Sequence, residues 1–474
     1  MQVIVNENPS IVWIGSELIE DKITGQYNSV QYIRLEDQLI KNKFIRFEEI
    51  IDEYNGGPMG FQLHTSDYVN QGIPVLRTKD LVDLSVELED PIFISEEKNE
   101  ELKKSKTYSG DIVISKTGQI GVCSIIPDTI QEANLNQALC NIRINEEKMD
   151  KHFLVSFFNC KYGQYQFQRE GTGKAVQDGL TKEEIYNIKV PVCNNKVQKY
   201  IGNKLREGIA LKECAKELRK LGNELLIQVL RLDDLEKEIN NQKKKYNWIS
   251  TTDMKDRFDA EHYKEEFIEN IRHINSLEGN ECKILKLEDI MDEGNYGILP
   301  SSSDYGLGDI KLLRSTDMKN GLINDTETIK VPDKYFIKKA RVNSGDVLLE
   351  IKGNASSGAI SENIEGKMIV NGSIFKFTVK PQYNNYFILA YLDSLSGQLQ
   401  KKQSLANSII SYLSIDYINN LLIPVIDKNM QDDIGNKFKE SNEKFLKSKQ
   451  LLGEAKKDVE DLIEGNFDMS KLNS

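Results

Sequence analysis

The stretch SGDIVISKTGQIG (109–121) returns as SGDVLLEIKGNASSG (344–358), 344 − 109 = 235 positions later. In both, a Ser-Gly-Asp turn leads into an apolar run of strand length, which ends in a glycine-rich loop. The repetition continues outward. Trp13-Ile14 answers Trp248-Ile249, and Ser66-Asp67-Tyr68 answers Ser303-Asp304-Tyr305. IPVLRTKDL (73–81) corresponds to IKLLRSTDM (310–318), and Asn136 in NLNQALCNIRI to Asn371 in IVNGSIFKFTV. LTKEEIYNIKVPV (180–192) corresponds to LSIDYINNLLIPV (413–425), and QKYIGNKLRE (198–207) to QDDIGNKFKE (431–440). The order never changes and the offset stays between 233 and 237 residues. Such collinear pairs mean a tandem duplication, with halves near 1–244 and 245–474.

Within each half the texture changes once. Short apolar runs punctuated by Gly, Asn, Asp and Pro predict mixed strands and short helices, an α/β (α+β) domain. SEEKNEELKKSK (95–106) reads as a surface helix with Ser95 as N-cap and acids in its first turn. Beyond VPV (190–192) and IPV (423–425) the glycines thin out and a long charged helix is expected. Its apolar positions in half one fall at Leu211, Ala215, Leu218, Gly222, Leu225, Val229 and Leu232. In half two they fall at Ile434, Phe438, Ser441, Phe445, Ser448, Leu452, Ala455, Val459 and Leu462. Steps of four and three form a heptad seam. Two seams of equal phase in one chain predict an antiparallel coiled coil between the helices. The expected first helix, roughly 197–240, would be about 65 Å long at 1.5 Å per residue. The expected division is a domain over 1–195, a helix over 196–244, a domain over 245–428, and a helix with C-terminal tail over 429–474.

The chain has 474 residues, 39% hydrophobic and 29% charged, which is ordinary globular composition. No apolar run has the length of a membrane span, and MQVIVNENPS does not read as a signal peptide. The six cysteines are scattered singly, with no CxxC pair, and the four histidines are isolated. The expectation is a reduced, cytoplasmic setting without a metal site. The net charge of −12 opposes nucleic-acid binding by the chain as a whole, but it does not report local basic patches.

IPVLRTKDL, SGDIVISKTGQIG, NLNQALCNI and a VPV run, followed by a long helix opening on Gln198 and Ile201, together resemble the specificity subunit of type I restriction-modification enzymes. The second half repeats the pattern, with Gln431 and Ile434 opening its helix. The resemblance spans nearly the whole chain. The proline-rich stretch usual before that glutamine is replaced here by VCNNKV (192–197) and VIDKNM (425–430). The resemblance implies a non-catalytic subunit with two target-recognition domains, each reading one half of a bipartite DNA sequence. It implies helices that dock two methyltransferase subunits and, through them, restriction/translocase subunits. Seam positions expected to serve that platform include Leu211, Leu218, Leu225, Val229 and Leu232, with Phe438, Phe445, Leu452, Val459 and Leu462 opposite. This chain would bind no cofactor. S-adenosylmethionine, ATP and Mg²⁺ would belong to the partners, consistent with the absence of GxxxxGK[ST], NPPY and DPPY sequences.

The DNA-contacting candidates lie at matched places. Arg77, Thr78 and Lys79 answer Arg314 and Ser315. Ser115, Lys116, Thr117 and Gln119 around Gly118 answer Lys352, Asn354 and Ser356. Thr172 and Lys174 add a further loop in half one. Their side chains can bond base edges or phosphates. Gly118 and Gly121 either admit a phosphate closely or only shape a turn, and Arg77 and Arg314 suit a phosphate or an internal ion pair equally well. Pro332-Asp333 with Glu350-Ile351-Lys352 imitates the PD…ExK pattern of Mg²⁺-dependent nucleases, in which Asp333, Glu350 and Lys352 would form the centre. Half one has Ser115 and Thr117 where that centre needs Glu350 and Lys352, so the duplication argues against it.

Overall fold

The structure, a computed structural model, describes residues 5–7, 10–12, 24–172, 179–241, 254, 259–279, 281–325, 328–353, 355–362, 364–405 and 412–473. The Trp13-Ile14 and Trp248-Ile249 pair, Lys174, Asn354 and the connection after Asn241 lie outside these residues. The chain forms two compact units, Met1–Glu213 with Phe445–Ser474, and Cys214–Lys444. Among the described residues no helix is long and apolar enough to cross a membrane.

In the first unit, Ile112–Ser115 is the third strand of a six-stranded sheet, and all four of its residues are buried. It runs antiparallel to Leu139–Ile144 with Ile112 opposite Ile142. In the second unit, Val347–Glu350 runs antiparallel to Ile374–Val379 with Val347 opposite Phe377. Both residues of that pair are displaced by 235, so the duplication preserves strand register as well as strand order. A one-residue slip would have turned each buried face outward. The parallel pairing in the second sheet repeats too, with Asn134 opposite Val75 and Ile369 opposite Leu312.

The repeated Ser-Gly-Asp explains itself at these strand starts. Gly110 and Gly345 have φ of +82° and +86°, a region costly for residues with a Cβ. Each following aspartate is buried. Asp111 accepts hydrogen bonds from the Tyr108 amide, the Thr107 hydroxyl, Asn141 Nδ2 and the Arg143 guanidinium. Asp346 accepts from the Asn343 amide and Thr378 Oγ1, with Lys376 Nζ 3.7 Å away. The turn is kept while its cations differ.

Helix Glu96–Glu101 has Ser95 as N-cap, its hydroxyl accepting from the Lys98 amide, with Glu96 and Glu97 in the first turn. It is shorter than 95–106, because Lys106–Tyr108 leaves to pair with Glu132–Leu135. Pro332-Asp333 opens only a single 3₁₀ turn, Asp333–Tyr335.

The first long helix runs over Asn195–Val229, about 52 Å at 1.5 Å per residue. A separate helix, Leu232–Asn241, follows. The expected single helix over 197–240 is therefore broken. Arg231 has φ +51°, a left-handed cap, and the buried His273 ring bonds the Leu230 carbonyl at 2.8 Å. Leu230, Leu232 and Leu235 are thereby buried in the second unit's core.

The second long helix is Lys428–Glu464. In the first unit Ser448 donates to the Gly208 carbonyl at 2.6 Å, and Lys204 reaches Glu454 and Asp458. In the second unit Ser441 donates to the Ala215 carbonyl at 2.7 Å. In each unit the partner number falls as the first helix advances, from 454 and 458 at Lys204 to 448 at Gly208, and from 441 at Ala215 to 438 at Gly222, so the packing is antiparallel as expected. The buried row of the first helix differs from the expected one. It contains Lys212, Ala215, Gly222, Leu226 and Leu230, whereas Leu211, Leu218, Leu225 and Val229 are half-buried. Polar anchors, one of them buried, lie along the row. Lys212 Nζ reaches Glu87 at 2.5 Å and the Val82 carbonyl, and Arg219 donates to the Asn320 carbonyl at 2.7 Å. In the second helix Phe438, Leu452 and Val459 are buried, while Phe445 and Leu462 are half-buried.

Gln198 and Gln431 lock each domain to the helix that leaves it. Gln198 accepts from the Asp150 amide at 2.9 Å and donates to the Cys193 carbonyl. Gln431 accepts from the Asn384 amide and donates to the Ile426 carbonyl. Asp150 and Asn384 are themselves N-caps of the helices Lys151–Phe158 and Asn385–Asp393. Gly202 and Gly435 let these caps approach, since a Cβ there would lie 2.5 and 2.2 Å from the cap oxygens. Gln198→Ala and Gln431→Ala each leave a buried amide and carbonyl unpaired. Each is expected to cost about 1–3 kcal/mol in chemical denaturation, and a loss well below that would show the lock to be dispensable.

The halves differ inside the next helix. Helix Lys161–Gly171 corresponds to Leu395–Leu405, which puts Lys401 in the place of Phe167. Lys401 is fully buried, has no hydrogen-bond partner at Nζ, and lies 3.7 Å from Asp393.

Candidate DNA-recognition surface

Four loops converge at the end of each recognition strand, and the same backbone bonds hold both clusters. In the first unit the Lys116 amide donates to Ala138 O, the Leu180 amide to Lys116 O, and the Gly57 amide to Leu139 O. In the second, Ile351 donates to Ser373 O, Leu413 to Ile351 O, and Gly297 to Ile374 O. Each cluster is thus built from the loop after the first sheet strand (57–62 or 297–300), the glycine-rich loop, the Asn136 or Asn371 turn, and the segment at 180 or 413.

The side chains on these frames are unlike. Lys116 takes the place of buried Ile351, and Thr117 that of exposed Lys352. Ser115 is interior: it bonds the Gln119 carbonyl and accepts from the Val122 amide. Gly121 packs on Phe167, whereas Gly118, with φ +74°, has open space around it. Gln119 is exposed and Lys116 and Thr117 are half-buried. Ser356 is exposed; its amide and that of Ser357 donate to Glu350. In the second unit Tyr296, Leu299, Lys339, Lys352 and Tyr412 line a cavity of about 520 Å³. Tyr296 donates to the Leu413 carbonyl, and burial pushes its phenol up to about 12, so it stands there as a neutral group.

The other candidates lie in different surroundings. Arg77 is ion-paired with Asp80 at 3.2 Å, and Arg314 with Asp317 at 3.1 Å, each pair closing one 3₁₀ turn. Lys79 pairs with Asp90. Thr78 and Ser315 are half-buried on the same turns. Thr172 donates to the Arg169 carbonyl at the end of its helix. The imitation of a nuclease centre is not assembled. Asp333 pairs with Lys367 at 2.8 Å beside the three-stranded sheet, while Glu350 ends a strand of the four-stranded one. Among the described residues no group of three His, Cys, Asp or Glu could hold a metal.

Sequence reading passed over Met59 and Leu299. They are 65% and 72% exposed and lie two residues beyond the equivalent Gly57 and Gly297. Single apolar residues in polar loops have no periodicity. Aligning the two glycines through their shared bonds is the signal that finds them.

Residues 11–219 match the family described as type I restriction modification DNA specificity domain. No curated protein matches the chain. Among solved structures, the type I restriction-modification S subunit from M. genitalium aligns with 90% of this chain and 96% of its own, at 12% identity and a TM-score of 0.48. The HsdS subunit from Thermoanaerobacter tengcongensis aligns with 90% and 97%, at 14% identity and a TM-score of 0.30. The first recognition domain and the opening of the long helix that leaves it are thus similar to a type I DNA specificity domain.

Proposed function

We propose that the domain over 1–195 reads one half of a bipartite duplex sequence and the domain over 245–428 reads the other. The helices over 196–244 and 429–474 seat two methyltransferase subunits, which bring S-adenosylmethionine and carry restriction/translocase subunits that use ATP and Mg²⁺. The observation behind this reading is the pair of loop clusters, held by equivalent backbone bonds and carrying unlike side chains. A shared frame with different donors and acceptors suits two readers of different sequences. Lys116, Thr117 and Gln119 are the contacts we assign in the first cluster, and Lys352 and Ser356 in the second. Lys174 and Asn354 are candidate contacts from the sequence alone. Arg77, Arg314 and Lys79, held by carboxylates, shape the neighbouring turns that carry Thr78 and Ser315.

The test is a domain exchange. Replacing residues 1–195 with the corresponding domain of a related chain, in cells that carry the methyltransferase partner, should change one half of the methylated sequence. The other half and the spacer should stay as they were, because base readout is local and distant contacts contribute nearly additively. Sequencing the modified bases reads the result directly. A swap that altered both halves would overturn the assignment of one reader to each domain.

A further inference from the structure

The second unit's cavity mixes apolar and basic chemistry. Leu299 stands over Gly372, 3.0 Å from where a Cβ on that glycine would lie. Tyr412, 48% exposed, lines the same cavity. Lys339 and Lys352 flank them, and neither has a carboxylate partner among the described residues. This sets them apart from Lys79, Arg77 and Arg314 on neighbouring turns, each tied to an aspartate. The first unit repeats the arrangement by different means. Met59 takes the place of Leu299 and Phe61 follows it, 71% exposed. Lys116, also without a carboxylate partner among the described residues, extends its Nζ to 3.4 Å from where a Cβ on Gly56 would lie.

Leu299 and Tyr412 share one apolar surface rimmed by cations, the pattern that marks an interaction site rather than a scattered exposed residue. A tip ringed by unpaired cations calls for an anionic partner with an apolar interior. Stacked bases between phosphates meet that description. Resting on the DNA-reading function above, we propose that Leu299 and Met59 are wedges, each inserting at one base step of its half-site. Lys352 and Lys339, or Lys116, take the flanking phosphates. An inserted side chain partly unstacks the step, which is least costly at flexible pyrimidine–purine steps. Each half-site then contains a position chosen by deformability as well as positions read by hydrogen bonds.

The experiment uses the full chain assembled with its methyltransferase partner. The probe is a duplex of the sequence that the complex methylates, with 2-aminopurine placed in turn at each step. Wild-type complex should raise the fluorescence at one step of each half-site besides the base that the methyltransferase flips out, and only those further rises are scored. Leu299→Gln should abolish the rise in one half only and weaken binding roughly ten-fold. Leu299→Met, which installs the first unit's residue, should preserve both signals, and Met59→Gln should act on the other half. Leu299 is exposed, so the melting temperature should not move. Binding without any further rise in fluorescence, or Leu299→Gln behaving as wild type, would refute the wedge and leave the DNA-reading function standing. If Leu299→Gln instead loses the methyltransferase subunit, the tip is a protein contact and the wedge is equally refuted. A wild-type complex with no sequence preference at all would overturn the function and the wedge together.

Discussion

Gly57→Ala and Gly297→Ala are each expected to destabilise their own unit by about 3 kcal/mol or more. A Cβ at Gly57 would lie 1.8 Å from the Asn136 carbonyl oxygen and 2.6 Å from its carbon. At Gly297 it would lie 2.1 Å from Asn371 O and 2.3 Å from Val370 O. The obstructing atoms are backbone, held on both sides by bonds from the Gly57 amide to Leu139 and from the Gly297 amide to Ile374. No rotamer change relieves the clash, so the loops must part. Gly60→Ala is the control, because nothing lies within 4 Å of its Cβ position. Thermal melting of the three variants decides the matter. Melts for Gly57→Ala or Gly297→Ala that match Gly60→Ala would show that the loops are not held in contact.

Breaking the Asp393–Lys401 pair should be comparably severe. Asp393→Ala leaves the Lys401 ammonium buried without its counter-charge, and loss of one partner from such a pair typically costs about 3–5 kcal/mol. Replacing both partners has the opposite expectation. Asp393→Asn with Lys401→Phe installs the residues of the first half, Asn159 and Phe167. In that half Asn159 Nδ2 donates to the Cys123 and Val155 carbonyls and Phe167 is wholly buried. This double variant should be as stable as wild type or more so. The pair also sets a pH dependence. Partial loss of hydration raises the Asp393 carboxyl to about 6, against the pull of Lys401 and Arg219, while a third of its side chain still reaches solvent. Burial likewise lowers the Lys401 ammonium, against Asp393 and Glu350. The unfolded chain releases the Asp393 proton near pH 4, about two units lower. Between those values the folded state holds more protons, so stability should fall as pH rises from about 4 to about 6. Denaturation across that window should show the fall in wild type and a smaller one in Asp393→Asn. Equal slopes would mean that the carboxyl titrates as an exposed group.

The duplicated frame was legible from sequence because its constraints are local and repeated. Ser-Gly-Asp needs a left-handed glycine and a buried acceptor in both halves, and the strand register follows from the pattern of buried residues. The antiparallel helix packing was legible from two heptad seams of equal phase in one chain. The exact row on the first helix was not. Lys212 and Arg219 read as solvent-facing, yet they are drawn inward by Glu87 and by the Asn320 carbonyl, partners more than a hundred residues away. The break at Arg231 carries no Gly or Pro to announce it; His273, from another helix, supplies its bond. At the recognition surface, residue type misled in a different way. Arg77 and Arg314 have the chemistry of DNA contacts, but an aspartate three residues on closes each into its own turn. The identical spacing Arg-x-x-Asp in both halves already held that information.

The glutamine lock also bears on how such a chain can diversify. Its receiving half, Gln-x-x-Ile-Gly, lies just after the junction, and its other half is the N-cap at Asp150 or Asn384. Both aspartate and asparagine can receive the glutamine, because it bonds only the backbone amide of the cap residue. A recombination breakpoint ahead of Gln198 or Gln431 therefore exchanges a whole domain and keeps the glutamine bond, while Arg206, which pairs with Asp150, and Asp432, which accepts from Asn384, match each helix to its own cap. New specificities can then be inherited as whole cassettes, provided the incoming cap suits the charge that the receiving helix presents to it.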